Sequence, residues 1–253
     1  MWYWTKVLFL IFCGAIAVWF LYELATFPNI SALKTENPTT TSMIENRARE
    51  AREDSKEPKR YQIWVSIDAI SPNLQRAVLA GEDARFFEHH GFDWDAIQKA
   101  WDEAQREAEK EAKSEGDNDE NDWIPTLPSF KRGASTVTQQ LAKNLYLSED
   151  RNFLRKGREA VYTYFMERNL SKKRILEIYL NVIEWGDGIY GAEAAARTYF
   201  KKSASSLTPQ EAAYLSAMIP SPLNVFNPQK NPKRLARRQK VILRGMNSIK
   251  LAY

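Results

Sequence analysis

Cysteine is all but missing from these 253 residues. Cys13 stands alone, which excludes an intrachain disulfide. Histidine is nearly as scarce, with only the adjacent His89 and His90, and no spacing reads as a zinc site. There is no internal repeat. Acidic residues are absent from Gln229 to Tyr253, a stretch that carries eight basic ones. What the chain does have is apolar character. Hydrophobic residues make up 44% and aromatics 12%, which excludes a disordered protein. The length suits one large domain or two small ones with a sizeable core.

The longest apolar run sits at the N-terminus. Val7 to Tyr22 is unbroken over 16 residues, and Trp2 to Thr5 extend it to spanning length because Lys6 can snorkel. Lys6 before the run and Glu23 after it predict a cytoplasmic N-terminus, with the remainder periplasmic or extracellular. Trp2, Tyr3, Trp4, Trp19 and Tyr22 fit aromatic belts at the two interfaces. Ala15-Ile16-Ala17 resembles a signal-peptide cleavage site, but the apolar run continues past it and favours an uncleaved anchor. The chain divides into an anchor (1–25), a polar mixed-charge stalk (26–60) and a mostly helical domain (61–253). Residues 102–122 interrupt that domain with ten acidic and three basic residues, read as a charged helix running into an acidic loop.

Within the domain, Ser71-Pro72 predicts a helix start, with Leu74, Ala77, Val78 and Gly81 on the inward face. Glu82 follows Val78 by one helical turn and so belongs with that apolar face. A poorly solvated carboxylate has a raised pKa and can exchange protons near neutrality. The alternative is a half-buried Glu82 paired with Arg85. A second segment, Gly133 to Asn144, is rich in Ser, Thr and paired Gln. A helix there puts Thr136, Gln140 and Lys143 on one face, a hydroxyl, an amide and a cation suited to a sugar or phosphate, and Val137, Leu141 and Leu145 on a core face. In the third segment Arg151, Arg155 and Glu159 share a helix face. With Lys156 and Arg158 they could hold a diphosphate, with Glu159 as orienter or second carboxylate.

In this order the segments resemble the signature motifs of the bacterial peptidoglycan glycosyltransferases. Glu82, Asp83, Phe86, His89 and Gly91 meet the pattern Glu-Asp-x-x-Phe-x-x-His-x-Gly. Gly133 to Asn144 meets Gly-x-Ser-Thr-x-Thr-Gln-Gln-x-x-Lys-Asn, and Arg155, Lys156 and Glu159 meet Arg-Lys-x-x-Glu. Ile175 to Asn181 supplies Ile-Leu-Glu-x-Tyr-Leu-Asn. Four motifs in order are a far more specific signal than any one of them. The likeness runs from about Tyr61 to the C-terminal helix, and the acidic segment lies where the family's connection is usually shorter.

The resemblance implies a mainly α, lysozyme-like glycosyltransferase domain with a smaller membrane-proximal lobe, beside the N-terminal transmembrane helix. It implies polymerisation of a lipid-linked disaccharide-pentapeptide (lipid II) into glycan strands at the bacterial inner membrane. Glu82 would be the general base and Glu159 a second catalytic carboxylate or orienter. Asp83, Ser135, Thr136, Gln139, Gln140, Lys143, Asn144, Arg151, Arg155 and Lys156 would bind substrate. Asp83, Phe86 and both histidines could instead brace the loop that aims Glu82, and Glu177 and Asn181 brace helices. No cofactor is required and no metal site is expected, although Mg2+ or Mn2+ could assist at the pyrophosphate. Expected partners are lipid II, the lipid-linked glycan, the membrane and other cell-wall synthesis or division proteins, with no nucleic acid. The basic C-terminal helix, with Leu235, Ile242, Met246 and Ile249 on one face, could also attract anionic lipid. Ser31-x-x-Lys34 has no partner Ser-x-Asn or Lys-Thr-Gly, so no peptide cross-linking is expected. Two other classes compete. A lytic hydrolase would have no use for the cation-rich segments, and a non-catalytic scaffold would not need Glu82.

Overall fold

A computed structural model describes residues 2–114, 135–148 and 153–253. Arg151 and the acidic loop 116–122 therefore lie outside the described residues.

The N-terminal apolar run forms one helix, α1 (Trp2–Ala25), exposed along its length. At 1.5 Å per residue it reaches the roughly 30 Å needed to cross a bilayer core. It is the one helix among the described residues that is long and apolar enough to do so. Its last turn is fastened to the rest of the protein. Glu23 accepts from the guanidinium of Arg158 (Nε to Oε2 2.8 Å), and Phe27 packs edge-on against Tyr162 and Phe165.

The segment expected to stand off as a stalk packs against the body instead. A 3-10 turn (Ile30–Lys34) buries Ile30 and Leu33 in the core, and Arg174 donates to the carbonyls of Leu33 and Glu36. α2 (Ser42–Glu53) follows, capped by Thr41, with Ile44 buried. Arg47 on α2 grips Glu184 with two hydrogen bonds of 3.1 and 3.2 Å. A polar composition predicts solvation, but two or three apolar residues and one bidentate ion pair are enough to dock a short helix.

Among the described residues, extended structure is limited to a small sheet. β1 (Tyr61–Gln62) runs parallel to β3 (Ile189–Tyr190), which pairs antiparallel with β2 (Glu184–Gly186). The glycines at 186, 188 and 191 thus belong to a tight hairpin and its exit. Gly191 has φ +83°, and a Cβ there would lie 2.7 Å from the carbonyl oxygen of Asn181.

The rest is helical. α3 (Pro72–Glu82) begins at the Ser71 cap with Pro72 in the first turn. α4 (Trp94–Ser114) carries the start of the acidic segment. α5 (Val137–Tyr146) buries Val137, Leu141 and Leu145, and packs on α6 (Phe153–Asn169) and α7 (Lys172–Val182). α7 is buried at Ile175, Leu176 and from Ile178 to Val182, the pattern of a central helix. Asn181 and Glu177 on it brace the strand side: Asn181 exchanges hydrogen bonds with the backbone of Val65, and Glu177 accepts from Ile67. α8 (Ala192–Phe200), α9 (Pro209–Met218) and α10 (Pro232–Gly245) complete the fold. Thr208 and Glu211 form a capping box on α9. α3, α9 and α10 pack together, with Leu235, Ile242 and Met246 buried from the C-terminal side.

Gly191→Ala should strain both the backbone and the hairpin, because the obstructing atom is main chain. A loss of about 2–4 kcal/mol in unfolding free energy is expected in denaturant titrations.

Candidate active site

Glu82 is the last residue of α3. Its position follows from Gly81. A Cβ on Gly81 would meet Ser216 Oγ of α9 at 2.8 Å and Ile242 of α10 at 3.1 Å. Glycine therefore lets both helices close onto the end of α3, and that closure brings Arg238 of α10 to the carboxylate. Arg238 Nη2 donates to Glu82 Oε1 at 2.8 Å and to the Gly81 carbonyl at 2.9 Å. Gln140 Nε2 of α5 donates to Glu82 Oε2 at 3.0 Å, and Gln140 Oε1 accepts from the buried Tyr179 hydroxyl at 2.8 Å. The amide is thus held in one orientation.

The Glu82 side chain is only 8% exposed. Burial raises its pKa above the ordinary carboxylate value; the charge of Arg238 and the hydrogen bond from Gln140 oppose that rise, and Asp83 adds to it. The Arg85 pairing anticipated as an alternative does not form. Arg85 engages Glu88, Asp93 and Asp95, with Nε to Glu88 at 2.9 Å.

Asp83 points the other way. One oxygen sits 2.9 Å from His89 Nε2 and the other accepts from the Val137 amide at 3.0 Å. His89 Nδ1 in turn accepts from the Gly91 amide, which leaves the proton on Nε2 for Asp83. Asp83, His89 and Asp93 lie close enough together to suggest a metal site. Asp93 Oδ1 accepts from Arg85 and from the Ala96 amide. His90 is exposed, Phe86 is buried in the core, and Trp94 is 71% exposed.

Thr136 and Gln139 are buried in a capping box at the start of α5, and Thr136 also donates to the Gly91 carbonyl at 2.7 Å. Their polar groups fix the helix end. Ser135 is exposed, and with Glu82, Arg85 and Thr136 it lines a cavity of about 290 Å³. On the other side of Gln140 lies a larger cavity of about 440 Å³, lined by Asn46, Lys143, Asn144, Arg155, Tyr179 and Asn224 among others. Gln140, which donates to the Glu82 carboxylate, and Tyr179, which donates to Gln140, both belong to its lining. Arg155 also borders an adjoining cavity of about 410 Å³ with Leu154 and Arg158, the residue that holds the end of the membrane helix.

Glu159 is buried on α6 and pairs with both Arg155 (3.3 Å) and Lys156. One buried carboxylate thus aims two cations, Arg155 into the larger cavity and Lys156 into a half-exposed position.

The site is a helical cleft in which one desolvated carboxylate faces polar and cationic walls, the arrangement of a glycosyl-transferring enzyme. The sequence profile of the family described as Transglycosylase matches residues 49–116 and 124–247, and the chain belongs to that family. The profile skips 117–123, inside the acidic segment. Relatives named biosynthetic peptidoglycan transglycosylase include those of Laribacter hongkongensis (43% identity; 92% of this chain and 93% of that one) and Chromobacterium violaceum (40%; 98% and 99%). A third, from Bordetella pertussis, is 39% identical over 98% of this chain and 96% of its own. The protein is therefore an enzyme, a glycosyltransferase.

Sequence reading missed Arg238, Tyr179 and the α2 residues as parts of this cleft. Tyr179 sits inside the fourth motif, and Arg238 lies in the basic run, where no local pattern sets it apart from its neighbours.

Asp83→Ala would leave the buried Val137 amide and the His89 ring without their acceptor. It should cost about 1–3 kcal/mol of stability by denaturant unfolding. Unchanged stability with lost activity would instead make Asp83 a substrate contact.

Proposed function

We propose that this enzyme polymerises lipid II into peptidoglycan glycan strands, with Glu82 as the general base. The observation that carries the reading is the desolvated Glu82 carboxylate, held by Arg238 and Gln140 between two cavities of different character. The relatives' names supply peptidoglycan as the product class.

In this reading the acceptor saccharide occupies the smaller cavity, beside Ser135. Glu82 removes the proton from its 4-hydroxyl, and the oxygen attacks the anomeric carbon of the donor. The bond from that carbon to the lipid pyrophosphate breaks, so an α-linked phosphate becomes a β-1,4 glycosidic bond with inversion. Positive charge develops on the sugar ring and negative charge on the leaving pyrophosphate. Lys143 and Arg155 are placed to stabilise the latter, with Arg155 aimed by Glu159. Arg151, Lys156, Asn144 and Gln139 belong to the same motifs, and the first three remain candidates for substrate contact. Asp83, Thr136 and Gln139 act through the positions of Glu82 and α5.

The cation-bearing wall adjoins the cavity next to the Arg158–Glu23 contact, so the pyrophosphate end faces the membrane helix. That supports a lipid-linked donor over a free glycan and disfavours the hydrolase reading. A divalent ion finds a poor donor set here, because the buried carboxylate of α6 is already engaged by two cations. The helix α1 anchors the domain, with the N-terminus cytoplasmic and the cleft periplasmic. No peptide cross-linking is expected either: the Ser31 hydroxyl of Ser31-x-x-Lys34 bonds to Asn29 in a 3-10 turn.

Purified protein in detergent should polymerise lipid II, and Glu82→Gln should lower the rate by at least about 10³-fold. Cleavage of preformed glycan without polymerisation would indicate a lytic enzyme, and folded protein inactive in both assays a scaffold. A labelled β-lactam should form no acyl-enzyme.

The base works as a carboxylate, so activity should fall as pH drops through the Glu82 pKa. Because burial raises that pKa, the acid limb of kcat/KM should lie above the ordinary glutamate value. Arg238→Gln removes an influence that lowers it, and should move the limb to higher pH.

A further inference from the structure

We infer that α2, the short helix between the membrane anchor and the catalytic body, forms a wall of the donor site, and that Asn46 on it hydrogen-bonds to an uncharged oxygen or N–H group of the donor saccharide. This deepens the function proposed above and rests on it.

Four observations support the inference. Asn46 lines the larger cavity together with Gln140, Lys143, Asn144 and Arg155. It is only 7% exposed, and its Nδ2 is buried with no hydrogen-bond partner among the described residues. Buried amides ordinarily find partners; this nitrogen is shut off from the cavity as it stands, and a half-turn of the amide exchanges it with the oxygen and brings it within reach of a ligand. A turn of the amide about its last bond presents either the donor or the acceptor to the cavity.

The helix that carries it is rigid. Thr41 caps α2, Ile44 is buried, and the neighbouring Arg47 is fixed to Glu184 by two hydrogen bonds. Asn46 is thereby preorganised, as a binding group on a firm element should be.

The chemistry of the walls differs from one helix to the next. Lys143 and Arg155 come from α5 and α6 and suit the pyrophosphate. Asn46, Gln140, Asn144 and Asn224 are amides, suited to hydroxyl and acetamido groups of a sugar. Asn46 also precedes residue 49, where the family profile begins to match, so the assignment adds to the residues which that profile covers.

The test compares full-length wild type with Asn46→Ala, using lipid II in detergent. The expected result is a KM raised about tenfold, the effect of losing one hydrogen bond to a neutral partner, with kcat little changed. A lipid II analogue blocked at the 4-hydroxyl should bind about tenfold more weakly to Glu82→Gln carrying Asn46→Ala than to Glu82→Gln alone. Thermal stability should be unchanged or higher, since an unmatched buried amide is removed. Unchanged KM and unchanged binding, with an active wild type, would overturn this inference while leaving the proposed reaction intact. A lowered Tm that accounts for the kinetic loss would also overturn it and make Asn46 a structural residue. A wild type that neither binds nor polymerises lipid II would overturn both.

Discussion

Much of this structure depends on how one buried carboxylate, that of Glu82, is paired. An isolated buried carboxylate simply takes up a proton, and a fully paired one is a weak base. Glu82 stands between those limits. One oxygen meets the Arg238 guanidinium and the other the Gln140 amide, while burial pushes in the opposite direction. Each partner is itself held: Gln140 by the Tyr179 hydroxyl, and Arg238 by the Gly81 carbonyl and its place over the Phe226 ring. The packing of α3, α5, α7 and α10 can be read as what these few hydrogen bonds require.

Asp83 links that arrangement to the rest of the cleft. Its carboxylate joins the loop after α3 to the first amide of α5 and to His89. The first two sequence motifs are therefore one structural unit. Thr136 and Gln139 cap α5, the helix that carries Gln140 and Lys143, and Glu159 pairs with Arg155 and Lys156 of the third motif.

Local pattern carried a good deal of this. The Ser71-Pro72 start, the inward stripe of Leu74, Ala77 and Val78, and the core face of Val137, Leu141 and Leu145 are periodic and capped, so they could be read directly. The apolar N-terminal helix was equally plain. Contacts between residues distant in sequence could not be read. Nothing around Arg238 distinguishes it from Arg237 or Lys240, because the choice depends on how α10 rolls onto α3. The docking of α2 was hidden for a similar reason. Its composition is polar, and the pair that fixes it joins Arg47 to Glu184 across most of the chain. Reading 26–60 as a stalk followed from composition alone, which reports solubility and not docking.

The Glu82–Arg238 contact joins positions 156 residues apart. A chain made from its N-terminus exposes α3 long before α10 exists, and the membrane helix α1 precedes both. During synthesis Glu82 is therefore present while Arg238 is still missing. The cleft can acquire its working electrostatics only after nearly the whole polypeptide has emerged and its C-terminal helix has folded back. Order of synthesis thus makes the Glu82–Arg238 contact one of the last in the protein that can form.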